Sequence, residues 1–105
     1  MLNIKKALTK ILRNMPEIRY GYKSAGNVPA NSYVDVSVTF ASPMEGTPYV
    51  FTNLASSSTS PTMGDFQTCA IDPSATGCTV RVFNNTSSAR SPAIRYLAVY
   101  GGGTA

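Results

Sequence analysis

The hydrophobic pattern of the chain changes its period at Pro16, and this change limits what the chain can fold into. Beyond Pro16, apolar and polar residues alternate, most clearly over residues 32–40 (SYVDVSVTF). Alternation with period two is typical of a β-strand with one buried face, so Val36 and Val38 are expected to face the core and Asp35 to face outward. Runs rich in Gly, Pro, Asn and Ser separate the alternating segments and predict turns. The part after Pro16 is therefore expected to be a β domain.

Six segments carry the strand pattern. They lie at residues 17–24, 32–40, 48–55, 65–71, 77–84 and 93–100. Short strands joined by turn-rich connections are typical of an antiparallel sandwich. The sequence thus predicts an all-β fold, a six-stranded antiparallel β-sandwich over residues 17–101, with a flexible tail at 102–105.

Residues 1–16 predict a short N-terminal helix that ends at Pro16. Its apolar residues recur at alternating spacings of three and four, the heptad rhythm, and continue to Ile18. Such a stripe either docks on its own domain or joins copies of the chain. Because the stripe is narrow and regular, we favour an oligomer seam, formed by Ile4, Leu8, Ile11 and Met15.

The net charge of +4 comes from the N-terminal segment, since Lys5, Lys6, Lys10 and Arg13 have no acidic neighbour there. The remaining five basic and five acidic residues cancel, so the body lacks the basic excess of a nucleic-acid-binding face. Lysines interrupt each apolar run near the N-terminus, which argues against a secretory signal. No apolar run approaches the ~18 residues that span a bilayer. We expect a protein made in the cytoplasm, with no nucleic-acid partner and no membrane insertion.

Catalysis is not expected. The chain has no histidine, which removes the usual neutral-pH base and the commonest zinc ligand. Asp65 and Asp72 lie near opposite ends of one predicted strand, roughly 20 Å apart, which is too far for a pair of glycosidase carboxylates. The sequence predicts no enzyme activity, no cofactor and no metal site.

Cys69 and Cys78 flank a predicted turn. If residues 69–78 form a hairpin, the two residues are nearly opposite and a cross-strand disulfide is conceivable. In a protein made in the cytoplasm, two free thiols are the expected state.

Four motifs occur in a recognisable order: VSVTF at 36–40, PYV at 48–50, TGCTV at 76–80 and YLAVYG at 96–101. In this order they resemble the H-type lectin domain, a six-stranded antiparallel sandwich that forms trimers. Cys78 and Tyr96 stand where that pattern has Phe and Trp. The lectins also use a His at the sugar site, which this chain lacks. The resemblance implies the fold, the trimer and glycan binding, but not a galactose-type site.

The upstream segment ALTKIL at 7–12, followed by a Tyr-Gly strand, resembles the C-terminal region of tail-associated minor structural proteins of phages and prophages of Gram-positive bacteria. This resemblance implies a trimeric receptor-binding tip in the virion tail, made in the cytoplasm of the bacterial host. Its partners are then the other copies of a homotrimer, other virion tail proteins, and a host cell-wall or surface glycan. Two alternatives stay open: a structural virion protein from a baseplate, neck or head fibre, and a free-standing H-type-like lectin.

A saccharide site needs aromatic faces for sugar rings and Asp, Asn or Arg groups for the hydroxyls. Loops on a rigid scaffold are the usual place for binding, which favours the polar loops near residues 56–64 and 84–92. The candidate ligand-binding residues are Asp65, Arg81, Asn84, Asn85, Arg90, Arg95 and Tyr96.

Overall fold

The structure is a computed structural model that describes residue 4 and residues 15–55 and 65–101. These residues form six β-strands. The strands are β1 (Glu17–Ser24), β2 (Ser32–Thr39), β3 (Tyr49–Ala55), β4 (Phe66–Ser74), β5 (Gly77–Asn84) and β6 (Ala93–Tyr100). Each lies within a few residues of a predicted strand, and the all-β prediction is confirmed.

The strands form two antiparallel sheets of three strands each, in the orders β1-β6-β3 and β2-β5-β4. Their facing sides share one hydrophobic core, as a sandwich requires. The centre of the core is fully buried at Val28, Val80, Val82 and Ile94. Val36 and Val38 are buried and Asp35 is exposed, as the alternation predicts.

The described connections lie at one of two ends of the sheets. At the end that we call the base, β1 begins opposite the last residue of β6, with Glu17 paired to Tyr100. The hairpin between β4 and β5 and the connection from β2 to β3 also lie there. At the opposite end, which we call the loop end, Ser24 pairs with Ala93. The connections at 25–31 and 85–92 lie at this end, and β3 ends and β4 begins there.

The rings of two core-side tyrosines, Tyr96 and Tyr100, pack directly against glycine residues. A Cβ on Gly21 would lie 2.6 Å from the Tyr96 hydroxyl, and a Cβ on Gly46 would lie 2.5 Å from the Tyr100 ring. Both distances are shorter than van der Waals contact, so the missing side chains let the rings of Tyr96 and Tyr100 pass beneath β1 and the β2–β3 connection.

The predicted helical seam is largely outside the described residues. Leu8 and Ile11 lie there, while Ile4 and Met15 are described and exposed. Ile18, the last member of the heptad run, belongs to β1 instead, because the chain is already paired with β6 at Glu17. The tail at 102–105 also lies outside the described residues.

The expectation that Cys69 and Cys78 stand nearly opposite each other is wrong. Cys69 pairs with Arg81 and is exposed, whereas Cys78 pairs with Val38 and is buried on the other face of the sheet. Both thiols are free. Burial raises the pKa of the Cys78 thiol.

Candidate functional site

Strand β1 turns its apolar side away from the core of its own sandwich. Its register with β6 places Arg19 opposite Ala98, whose side chain is fully buried, and Tyr20 opposite the exposed Leu97. Arg19 and the other core-side residues of β1 are charged or glycine, whereas its outward residues are Ile18, Tyr20 and Tyr22. A strand in an antiparallel sheet with one solvent-exposed face normally places its apolar residues toward the core and its polar residues outward.

The outward side of the β1-β6-β3 sheet is therefore an aromatic face. Its large exposed apolar side chains are Ile18, Tyr20, Tyr22, Tyr49, Phe51 and Leu97. The register arranges the face in three rows across the strands. From the base to the loop end, the rows are Ile18, Val99 and Tyr49; then Tyr20, Leu97 and Phe51; then Tyr22, Arg95 and Asn53. The only charged side chain in these rows is Arg95, in the row nearest the loop end.

The outer face of the other sheet carries an ion pair between Arg81 and Asp35. Arg81 donates to both carboxylate oxygens of Asp35, at 2.8 and 3.1 Å, and its guanidinium lies 4.4 Å from the centre of the Tyr33 ring. The hydrogen bonds from Arg81 hold the pKa of Asp35 below its usual value, and the same pairing raises the pKa of Arg81. Polar groups that satisfy each other in this way are typical of a strand surface that faces solvent.

A concavity of about 310 Å³ opens on the aromatic face near the loop end. Its lining includes Phe51, Asn53, Arg95 and Leu97. This volume is at the small end of the range for ligand sites. An aromatic ring, an amide and a guanidinium around one hollow provide stacking, hydrogen-bonding and charge.

Arg95 differs from two other arginines of the β domain in how its side chain is used. Arg19 donates to the carbonyl oxygens of Ser42 and Pro43, at 3.1 and 3.2 Å, and so secures the β2–β3 connection. Arg81 is held by Asp35. Within the described part of the chain, the exposed Arg95 makes no ion pair or side-chain hydrogen bond, so its donors are open to a ligand.

Asn84 is a structural residue at the loop end. Its side chain is fully buried, its Nδ2 donates to the carbonyl oxygens of Val28 and Ser88 at 3.0 Å each, and its Oδ1 accepts from Thr86 N and Oγ1 at 2.9 and 2.6 Å. All of its hydrogen-bonding capacity is used within the protein. Asn84 therefore links the 25–31 connection to the 85–92 loop, and no donor or acceptor of its side chain is free to bind a ligand.

The seven sequence-predicted ligand residues fall in three places. At the loop end, Asp65 and Asn85 are exposed and joined by a backbone hydrogen bond of 3.1 Å, and Arg90 is exposed where its backbone bridges to Val28. Arg81 lies on the outer face of the other sheet, paired with Asp35. The remaining two, Arg95 and Tyr96, are neighbours on β6 but point to opposite sides of the sheet.

Tyr96 borders the concavity, but its ring lies on the core side of the sheet and not on the outer face. The ring centre is 6.3 Å from that of Phe40, and the hydroxyl lies close to Gly21. Strand alternation explains this placement, because Arg95 and Leu97 on either side of it point outward. The aromatic ring of the concavity is instead Phe51.

Sequence reasoning missed Phe51 and Asn53 as site residues. Period-two alternation in β3 does place Tyr49, Phe51 and Asn53 on one side of the strand. Bringing Asn53 opposite Arg95 requires the pairing of β3 with β6, which are separated by two intervening strands in the chain. No local pattern carries that information.

Other kinds of site find no support in the described residues. In that part of the chain, no three acidic or cysteine side chains are grouped to hold a metal ion. The same residues contain no helix long and apolar enough to cross a membrane.

No protein-family model and no curated protein matches the chain. Solved structures do match. One is the C-terminal part of the R1 pyocin fibre of P. aeruginosa, with a TM-score of 0.69 and 16% identity over 81% of this chain and 23% of that chain. Another is the tailspike protein gp49 of Pseudomonas phage LKA1, with a TM-score of 0.67 and 22% identity over 84% of this chain and 15% of that chain.

A third match is discoidin II of Dictyostelium discoideum, with a TM-score of 0.67 and 15% identity over 80% of this chain and 36% of that chain. The chain thus spans between about a seventh and about a third of the length of these three proteins. At such identities the likeness concerns the fold. The chain shares its fold with domains of tail fibres and tailspikes, whereas the narrower resemblance to H-type lectins stays a prediction.

Proposed function

We propose that this chain is a non-catalytic, trimeric receptor-binding tip domain of a phage or prophage tail, which contacts a saccharide of the host cell surface. The observation that carries the proposal is the concavity of Phe51, Asn53 and Arg95, on a fold shared with tail fibres and tailspikes. The domain then works as part of a virion, beside other tail proteins.

The three side chains match what a sugar ring offers. The Phe51 ring, 61% exposed, presents an apolar surface to the C–H side of a pyranose. Asn53 both donates and accepts hydrogen bonds, which suits hydroxyl groups. Arg95 adds charge-assisted donors and favours a saccharide with a carboxylate or phosphate group over a neutral one.

An open concavity of this size gives weak binding at a single site. Three copies on one tip, and several tips on one virion, raise the apparent affinity by about 10²–10⁴ through effective concentration. Weak single-site recognition is then compatible with firm attachment of the whole particle.

The proposal is tested by measuring binding of the whole chain to immobilised teichoic acids, lipopolysaccharides and capsular polysaccharides. We expect saturable binding to at least one acidic polysaccharide. Arg95→Ala should weaken this binding by at least about tenfold, since a hydrogen bond to a charged group contributes about 1.5–3 kcal/mol. Asn53→Ala should weaken it to a smaller extent.

Arg90→Ala is the matched control, because Arg90 is also an exposed arginine but lies at the loop end. Its binding should equal that of the wild type. Loss of binding in Arg90→Ala, with binding retained in Arg95→Ala, would move the site to the loop end and refute the concavity.

The second candidate is a structural virion protein that only assembles and docks. It is favoured by the two rows of the aromatic face that carry no charge, which suit contact with protein. A wild-type chain that binds none of the polysaccharides but binds another tail protein would support this second function.

A further inference from the structure

Most side chains in the two rows of the aromatic face nearest the base lie outside the saccharide site. They contain Ile18, Val99 and Tyr49 in one row and Tyr20, Leu97 and Phe51 in the next, and we call them the uncharged rows. Tyr20 and Tyr49 are each 79% exposed. Phe51 and Leu97, in the second of these rows, also border the concavity.

We propose that the uncharged rows are the surface through which copies of this chain pack against each other. This inference rests on the trimer of the proposed function, and it does not depend on saccharide binding. It also assigns the contact between copies to the sheet, whereas the heptad pattern assigns it to residues 1–16.

The polarity of β1 is the first argument. The alternation in this strand gives its apolar side to the outside and its charged side to the sandwich. A one-residue shift of register would exchange the two sides, and the pairing from Glu17 with Tyr100 to Ser24 with Ala93 shows no such shift. The strand is thus patterned for a second apolar environment outside its own domain.

The exposed area is the second argument. If a fully exposed aromatic side chain presents about 200 Å², then Tyr20, Tyr49 and Phe51 together expose about 440 Å². This lies within the range of the largest apolar patch on a typical monomer, about 300–600 Å², and such patches are often functional. Ile18 and Leu97 enlarge the surface toward the ~800 Å² that one partner contributes to a standard interface.

The charge distribution is compatible with a second copy as the partner. The uncharged rows contain no acidic or basic side chain, so copies meet without repulsion between like charges. The two edges of the face also differ: β1 presents Ile18 and Tyr20, while β3 presents Tyr49 and Phe51. In a ring of copies, the β1 edge of one meets the β3 edge of the next. Such a head-to-tail contact closes at a fixed number of subunits when its successive rotations complete a full turn.

The test measures the mass of the full-length chain in solution by light scattering coupled to gel filtration. We expect three times the 11.1 kDa of one chain. The face variant Tyr20→Arg with Tyr49→Arg should fall to the mass of one chain. Because both side chains are largely exposed in the single chain, the variant should keep the far-UV circular dichroism of the wild type.

Two further variants serve as controls. Gln67→Arg with Thr39→Arg adds the same charge at exposed strand positions on the other sheet, and it should keep the wild-type mass. The seam variant Leu8→Lys with Ile11→Lys should also keep the wild-type mass.

The inference is overturned if the wild type has the mass of one chain. It is also overturned if the face variant keeps the wild-type mass, or if the seam variant alone dissociates. Because the readout uses no saccharide, a trimer that binds no polysaccharide counts against the saccharide proposal and leaves this inference standing.

Discussion

Replacing Asn84 with alanine tests whether the loop end is held by one buried side chain. The substitution removes four hydrogen bonds at once. Its neighbour Asn85 is exposed, and Asn85→Ala changes the same residue type one position away without touching this network. The two variants therefore separate the network from any general effect of losing an asparagine.

The expected cost depends on which partners keep another bond. The carbonyl of Val28 still accepts from Arg90 N at 3.1 Å, and that of Ser88 still accepts from Thr86 Oγ1 at 2.8 Å. The Thr86 amide loses its partner in a buried place. An orphaned buried donor costs about 1–3 kcal/mol, and each of the other lost bonds costs about 0.5 kcal/mol or somewhat more, which gives about 3 kcal/mol in total.

Urea unfolding measures this cost. With an m-value of about 1.5 kcal/mol per molar, the midpoint of Asn84→Ala should fall by about 2 M. Asn85→Ala should stay within about 0.5 kcal/mol of the wild type, the usual range for a surface change. All variants are compared at one protein concentration, because association shifts apparent stability. Equal midpoints for the two variants would refute the assignment of Asn84 as the tie of the loop end.

Single contacts allow three other tests of the structure. Gly21→Ala should lower the free energy of unfolding by about 1–3 kcal/mol because its methyl group would overlap the Tyr96 ring. If the free-energy changes of Gly21→Ala and Tyr96→Ala simply add in a double-mutant cycle, this overlap is not the cause. Asp35→Asn should be less stable than the wild type at neutral pH. The difference should shrink as the pH falls below the ordinary carboxyl pKa of 3.8, since Arg81 lowers the pKa of Asp35 only in the folded state. A stability difference that is constant with pH would exclude the pairing with Arg81 as its source. A thiol reagent should modify the exposed Cys69 quickly and the buried Cys78 only on unfolding, because burial raises the pKa of Cys78 and blocks access of the reagent. Peptide mapping measures the two rates of modification, and equal rates would contradict this prediction.

The strands themselves were predictable from sequence because alternation and turn residues are local signals. The pattern over residues 32–40 identified both the strand and its buried side, and Pro16 marked the start of the β region. The heptad spacing wrongly includes Ile18 in the helical pattern. The spacings of three and four continue by chance into β1, which is hydrogen-bonded to β6 from Glu17 onward.

The candidate site was less predictable because it depends on which strands are neighbours. Asn84 looks like a polar loop residue in the sequence, and only the fold shows that Val28 lies beside it, 56 positions earlier in the chain. Likewise, Asn53 and Arg95 lie 42 positions apart and meet through the pairing of β3 with β6. Local alternation fixes the side of a strand on which a residue lies, but not its cross-strand partner.

The two proposals occupy one face of the sheet and share Phe51 and Leu97 in its middle row. Association through the uncharged rows places the copies together near the base, where β1 begins and β6 ends. The row of Tyr22, Arg95 and Asn53 then remains toward the loop end, beyond the apolar contact. Because Arg95 is charged, burying it between like copies would bring like charges together, and this cost favours leaving it at the open rim. The order of the rows thus accounts for both an apolar contact between subunits and a charged hollow that stays accessible to a saccharide.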